Sequence, residues 1–377
     1  MKIRDVSAIP VRMDVAPLED DLGLAPYVSN HDAVESVDRM LVRVESSTGA
    51  VGWGEMLVAL KSPRVTRAVI RDVIAPELDG VSIENAGKVL SSLYYPYVRL
   101  DPFLGAVDTA IWDLRGKQYG ASVSDLLGGR KRDAIEVAFC LGILEPDDAA
   151  AHAVEAHAAG FDRLKTKAGP DWAGDVERLT AMHEAVDGAL SFRLDPNQGW
   201  TMPETIRALS RLEARGILLE YVEQPLPTET YGSYAALRSR THTPIGVNED
   251  TYFRGNLEAL LRRDAIDAAV IDLVPAGGLE AARQQAQTAG VHGVSVSHHS
   301  GFDLGIKTAA VLHLAASTPE IDLPPDSVYY GWADYLLETP FELDDGSYPV
   351  PKAPGLGVSV DETKLDRYRI DGRTGDR

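Results

Sequence analysis

From residue 135 onward short apolar runs alternate with amphipathic stretches, and this alternation leaves few folds open. The runs cover 135–141, 163–167, 190–195, 217–223, 244–249, 268–272, 293–299 and 327–330. Runs this short, rich in β-branched residues, read as buried strands, while the helical period between them supplies crossover helices. Eight such units within about 200 residues predict a TIM-type (β/α)₈ barrel. Polar residues at the strand ends then fall on the barrel face that carries active sites.

The remainder of the chain divides around that barrel. Residues 1 to about 60 alternate in period two, as in Met40-Leu41-Val42-Arg43-Val44, and the turn Ser47-Thr48-Gly49 precedes Val51-Gly52-Trp53-Gly54-Glu55. Residues 65–128 become helical, with Val107, Ala110, Ile111 and Leu114 on one face. The reading is an α+β module over 1–130, a barrel over 131–335 and a turn-rich segment over 336–377 that returns to the first module. At 377 residues and 45% hydrophobic, the chain has ample material for both cores.

Composition narrows the function classes. A formal net charge of −20 argues against nucleic acid or an anionic membrane as partner, since both need basic surface. No run reaches the roughly 18 apolar residues that cross a bilayer, and the N-terminus does not read as a signal peptide. The expected protein is soluble and cytoplasmic, with a small molecule as its ligand. The single cysteine, Cys140, sits in the apolar run Val137-Ala138-Phe139-Cys140-Leu141 and reads as a buried structural thiol.

The strand ends hold the chemistry: Leu164-Lys165-Thr166-Lys167, Asp195-Pro196-Asn197, Glu223-Gln224-Pro225 and Asn248-Glu249-Asp250. A single acidic residue after a strand is usually a solvated loop or a helix cap. Acidic groups at three successive strand ends instead suit a hard divalent cation such as Mg²⁺, with Asp195 and Glu223 as two ligands. Such a cation stabilises the enediolate formed when a proton α to a carboxylate is removed. Lys165 and Lys167 alternate with Thr166 and so share a face. Two ammonium groups near each other and near a metal would depress one another's pKa, preparing Lys167 as base and leaving Lys165 to bind the substrate carboxylate.

These segments, with Ala106-Val107-Asp108-Thr109-Ala110-Ile111-Trp112-Asp113-Leu114-Arg115-Gly116-Lys117, Leu126-Leu127-Gly128-Gly129 and Pro354-Gly355-Leu356-Gly357-Val358, resemble the enolase superfamily. Within it the chain is most similar to the mandelate racemase and acid-sugar (glucarate-type) dehydratase branch. The resemblance spans nearly the whole chain and implies a capping domain over 1–130, a Mg²⁺ cofactor, a small carboxylate substrate and a homo-oligomer, commonly an octamer. It implies a third ligand at Asn248 or Glu249, with Glu249 slightly preferred as the carboxylate. It also implies an Asp272–His299 dyad, in which the aspartate fixes the imidazole of a second base. His298 is the rival, but adjacent strand residues face opposite ways. Asn197 would hydrogen-bond substrate, and loops near 22–31 and 55–60 would select it, with Tyr27 and His31 as candidate contacts. One departure is visible: no glutamate stands in Val328-Tyr329-Tyr330-Gly331-Trp332-Ala333-Asp334, where mandelate racemase has one, leaving Asp334 or a tyrosine as substitutes. The leading expectation is acid-sugar dehydration to a 2-keto-3-deoxy acid. Racemisation or epimerisation through the same intermediate is the alternative; muconate-type cycloisomerisation and a catalytically silent binding protein rank lower.

Overall fold

The computed structural model describes residues 1–95, 98–253 and 255–370. Its centre is a nearly closed barrel of eight parallel strands in chain order. They are Ala138–Leu141, Arg163–Lys167, Ser191–Asp195, Tyr221–Glu223, Ile245–Val247, Ala268–Ile271, Ser295–His298 and Asp326–Ser327, here called the first to eighth barrel strands. The eighth pairs with the first through Asp326 opposite Ala138. Between the seventh and eighth, the Leu323 N–H donates to the Val296 carbonyl and Ser297 Oγ donates to the Pro324 carbonyl.

Each of the first seven strands is followed by an outer helix, such as Pro146–Ala158 after the first and Ile306–Ser317 after the seventh. The eighth differs from expectation in two ways. It begins at Asp326, earlier than the apolar pattern indicated, and it leads into a 3₁₀ turn, Tyr329–Gly331, before the chain returns to the capping domain. The aromatic pair that read as strand serves packing instead: Tyr330 stacks on Phe139 at 4.8 Å and Tyr329 meets Tyr335, Phe341 and Tyr348.

The capping domain is a three-stranded antiparallel sheet, Ile3–Asp14, Ser36–Ser46 and Val51–Leu57, against helix Asp101–Tyr119. Its alternating pattern buries Met40, Val42 and Val44. Gly52 and Gly54 let the helix approach: a Cβ on either would lie near 2 Å from the carbonyls of Ala110 and Ala106. Asp113 on that helix is the joint of the molecule. One carboxylate oxygen accepts from the Trp53 N–H and the other from the Leu356 N–H, so a buried side chain ties sheet, helix and C-terminal segment together. No helix among the described residues is long and apolar enough to cross a membrane.

Candidate active site

A cavity of about 710 Å³ opens between the capping domain and the C-terminal ends of the barrel strands. Tyr27, Lys165, Lys167, His299 and Asp326 line its floor and walls, and Cys140 lies in the wall as a buried free thiol. Val34, Val37, Leu57, Val58 and Phe302 supply apolar cover, with Arg12, Asp32, Asp38 and Lys61 nearer the mouth. Lys61 pairs with Asp32 at 2.7 Å, linking the two capping loops across that mouth.

Strand register explains one wall. Lys167 lies opposite Asp195 in the parallel ladder, and Lys167 Nζ is 2.6 Å from Asp195 Oδ2. Lys165, two residues earlier on the same face, is 2% exposed and sits 3.2 Å from Asp195, 2.7 Å from Glu223 and 2.9 Å from Asp326. Burial opposes its charge, but Asp326, Glu223 and Asp195 together hold its pKa well above that of a free lysine. The expected depression by a neighbouring ammonium is therefore reversed at Lys165, because three carboxylates outweigh one cation. Asp195, although buried, is held below the usual carboxylate range by Lys167 and Lys165. Glu223 goes the other way: burial, with Asp195 and Asp326 nearby, pushes it up to about 8 despite Lys165.

Asp326 is one of the residues that sequence reasoning missed. It bridges Lys165 above and Arg193 below, the latter fully buried at 3.1 Å and itself paired with Glu220. Asp334 lies elsewhere, pairing with Lys364 and Tyr368. The signal for Asp326 was its place directly before Ser327, where the eighth apolar run begins; the Pro325 carbonyl accepts the Ala138 N–H at the strand entry.

The opposite wall carries the dyad. His299 Nδ1 is 3.2 Å from Asp272 Oδ2 and 3.4 Å from the Tyr252 hydroxyl. With Nδ1–H donated to Asp272, the Nε2 lone pair is free to accept a proton. His298 is fully engaged away from the cavity: its Nδ1 donates to the His299 carbonyl and its Nε2 accepts the Leu273 N–H. Burial lowers its pKa to about 4, so it is a neutral structural histidine.

Among the described residues no three His, Cys, Asp or Glu side chains already converge as a metal nest. The donor set nevertheless fits a hard cation. Glu223 Oε2 and Glu249 Oε2 are buried oxygens without hydrogen-bond partners, and lysine ammonium groups stand at Asp195 and at the other oxygen of Glu223. Buried carboxylate oxygens left unpaired are costly unless a cation completes them. Burial and Asp195 raise the pKa of Glu249, while its Oε1 lies 3.4 Å from Asn197 Nδ2 and 3.3 Å from Gln198 Nε2. Asn248 has its amide occupied: Nδ2 donates to the Val270 carbonyl and Oδ1 accepts from Tyr252. Asn197 thus orients Glu249, Tyr27 borders the cavity and His31 is exposed outside its lining.

Residues 12–128 match the mandelate racemase / muconate lactonizing enzyme N-terminal domain, and residues 148–364 match the enolase C-terminal domain-like family. The chain belongs to the enolase superfamily, in its mandelate racemase and muconate lactonizing enzyme group, whose members generally use Mg²⁺. It is 30% identical over 367 residues to D-galactarolactone cycloisomerase from Agrobacterium fabrum, covering 92% of this chain and 95% of the relative. It is 25% identical over 382 residues to N-succinyl-L-Arg/Lys racemase from Bacillus cereus, covering 98% of each. The crystal structure of an isomerase from Streptomyces coelicolor A3(2) superposes with a TM-score of 0.82 at 33% identity, covering 97% of this chain and 98% of that one. These relatives are named as isomerases, none as a dehydratase.

Proposed function

We propose that this protein removes the proton α to the carboxylate of a polyhydroxy acid in its lactone form and expels the β-oxygen, opening the ring. One observation carries the reading: two basic side chains, Lys167 and His299, line one cavity beside the strand-end carboxylates Asp195, Glu223 and Glu249. The A. fabrum relative, named for a sugar-acid lactone, supports the substrate class. Elimination also reconciles the dehydratase expectation with isomerase relatives. When the leaving β-oxygen is a free hydroxyl, water is lost and the enzyme is a lyase; when it is the ring oxygen of a lactone, no atom leaves and the reaction is an isomerisation.

His299 Nε2 takes the α-proton while Asp272 holds the imidazole by its other nitrogen. The C–H electrons form the enediolate, the β-carbon–oxygen bond breaks, and the ring oxygen departs as a carboxylate. Lys167, an ammonium in its contact with Asp195, is placed to return a proton when the resulting enol becomes a 2-keto acid. Asp195, Glu223 and Glu249 would hold Mg²⁺, with Asn197 and Gln198 orienting Glu249. When bound, the cation supplies positive charge to the developing enediolate oxygens. Lys165 remains buried as the counter-charge of Glu223 and Asp326 and stabilises the floor.

Racemisation or epimerisation is the second reading, favoured by the same two bases and by the B. cereus relative. A Mg²⁺-supplemented screen of acid sugars, their lactones and N-acylated amino acids in D₂O, read by ¹H NMR and semicarbazide, tests both. Ring opening to a 2-keto-3-deoxy acid carrying one deuterium supports elimination. Deuterium at the α-carbon of an intact skeleton moves the assignment to the second reading, and no exchange in any substrate overturns both.

A further inference from the structure

Asp272 has a second partner besides His299. Lys307, on the helix after the seventh barrel strand and 3% exposed, places Nζ 2.8 Å from the same Oδ2 atom that His299 contacts. That ammonium also lies 3.2 Å from Asp303 Oδ1, which in turn pairs with Arg39 at 3.1 Å. Arg39 belongs to the central capping strand, pairs with Glu55 at 2.8 Å and donates to the Gly301 carbonyl. Glu55, on the neighbouring capping strand, accepts the backbone N–H groups of Leu304 and Lys307. Charges therefore alternate without interruption from the dyad to the capping sheet, and each side chain from Asp272 to Glu55 is buried.

We propose that Lys307 is a positioning residue of the dyad, which by sharing Asp272 with His299 limits the charge the carboxylate lends to the imidazole and ties the dyad to the seated capping sheet. An aspartate facing only His299 would stabilise the imidazolium strongly. Here Lys307 takes part of that charge and keeps Asp272 ionised: burial opposes the carboxylate, yet Lys307 and His299 hold its pKa below the usual range. The arrangement suits a base that must be neutral before it accepts a proton. The same chain of charges places Arg39 and Glu55 only a few residues from Asp38 and Leu57, which line the cavity, so movement of the capping loops reaches the dyad through buried ion pairs.

Other groups around the imidazole define what the test must separate. Tyr252 touches the ring, His298 precedes it, Asp326, Lys165 and Lys167 share its cavity, and Arg12, Asp32, Asp38 and Lys61 lie toward the mouth. Of these, His298 also feels the charges of Lys307 and Asp303, while the side chains themselves are unchanged in both variants, so the sign of the His299 shift reads the proposed pairings. The base role of His299 rests on the proposed function, but the coupling itself does not.

The experiment is an NMR titration of the full chain labelled with ¹⁵N-histidine, in Mg²⁺, with the His299 signal assigned by its loss in His299→Gln. Lys307→Met should raise the His299 midpoint by on the order of one pH unit, because Asp272 then serves the imidazole alone. Asp303→Asn should lower it, because Lys307 loses its other counter-charge. General loosening of the site would move both variants in one direction, toward the value of a free histidine. Shifts of the same sign, or no shift in Lys307→Met, would overturn the proposal; if Lys307→Met does not fold, the direction in Asp303→Asn decides alone. No substrate is needed, so failure to find an activity leaves this result readable by itself.

Discussion

On the Lys165–Lys167 wall, two ammonium groups meet Asp195, Glu223 and Asp326, all on barrel strands. On the His299 wall the charges leave the barrel instead, passing through Lys307 and Asp303 to Arg39 and Glu55 of the capping sheet. The first wall is complete once the barrel closes, whereas the second requires both domains in place. The contrast teaches how one cavity combines a fixed electrostatic floor with a base that depends on the cap.

The largest test of the comparison is removal of each base. Lys167→Ala and His299→Asn, each folded, should lose turnover by about 10²- to 10⁴-fold on whichever acid proves active. Full activity in either variant would break the two-wall arrangement, since the cavity would then need one basic side chain only. Next in size is stability. Lys165→Met leaves Glu223 buried without its cation and Asp326 with Arg193 alone, and should cost about 3–5 kcal/mol in denaturant unfolding of the metal-free protein. Lys167→Met, whose side chain is 12% exposed and pairs with Asp195 alone, should cost clearly less. Equal costs would mean that the floor is not organised around Lys165.

How much of this was legible in the sequence follows the same division. Lys165, Lys167, Asp195 and Glu223 lie on consecutive strands and Glu249 stands two residues past the end of the next, so short motifs and the βα period suffice to bring them to one face. The barrel was readable for the same reason, because each unit repeats a local pattern. Asp326 escaped because it stands directly before the apolar run that marks a two-residue strand. Lys307, Asp303 and Arg39 escaped for a different reason: Arg39 and Asp303 are 264 positions apart, and no local period announces a pairing at that distance. Tyr252 lies in a 3₁₀ turn, where neither strand nor helix periodicity predicts which way a ring points. His31, in the loop expected to touch substrate, faces solvent while Tyr27 of that loop faces the cavity; alternation cannot be read where only two residues are paired.

The walls also differ in their response to acid. His298, beside the dyad, has its pKa lowered from an ordinary value near 6.5 to about 4 by burial. The unfolded chain therefore binds more protons than the folded one between those values. The contribution is fully present above pH 6.5, falls as the pH drops, and is lost by pH 4. By pH 5 about 2 kcal/mol of it has been lost. His313, which accepts the Ser124 N–H and donates to the Leu356 carbonyl, has its pKa lowered to about 4 in the same way and should add a similar slope at the joint between barrel and C-terminal segment. Urea unfolding at pH 7 and pH 5 should show the loss, and His298→Asn, if folded, should remove about half of it. An unchanged slope would mean that His298 is not held neutral on that wall.

The smallest expected effect separates Asn248 from Glu249 as the third metal ligand, and it bears on where the lysine wall ends. Asn248 spends its amide on the Val270 carbonyl and the Tyr252 hydroxyl, which places it in the support of His299. Glu249 offers a buried oxygen with no partner and receives amide contacts from Asn197 and Gln198 at the other. Two adjacent residues thus belong to different walls. Isothermal titration of Mg²⁺ into the metal-free protein should show Glu249→Gln weakening binding about tenfold or more, a loss of roughly 1.4 kcal/mol. Asn248→Ala should change it by less than about threefold and act on turnover instead, because what it releases is Tyr252 beside the imidazole. The reverse ranking would transfer Asn248 to the metal and leave Tyr252 without a fixed hydrogen-bond acceptor, so the two walls would then meet at that residue.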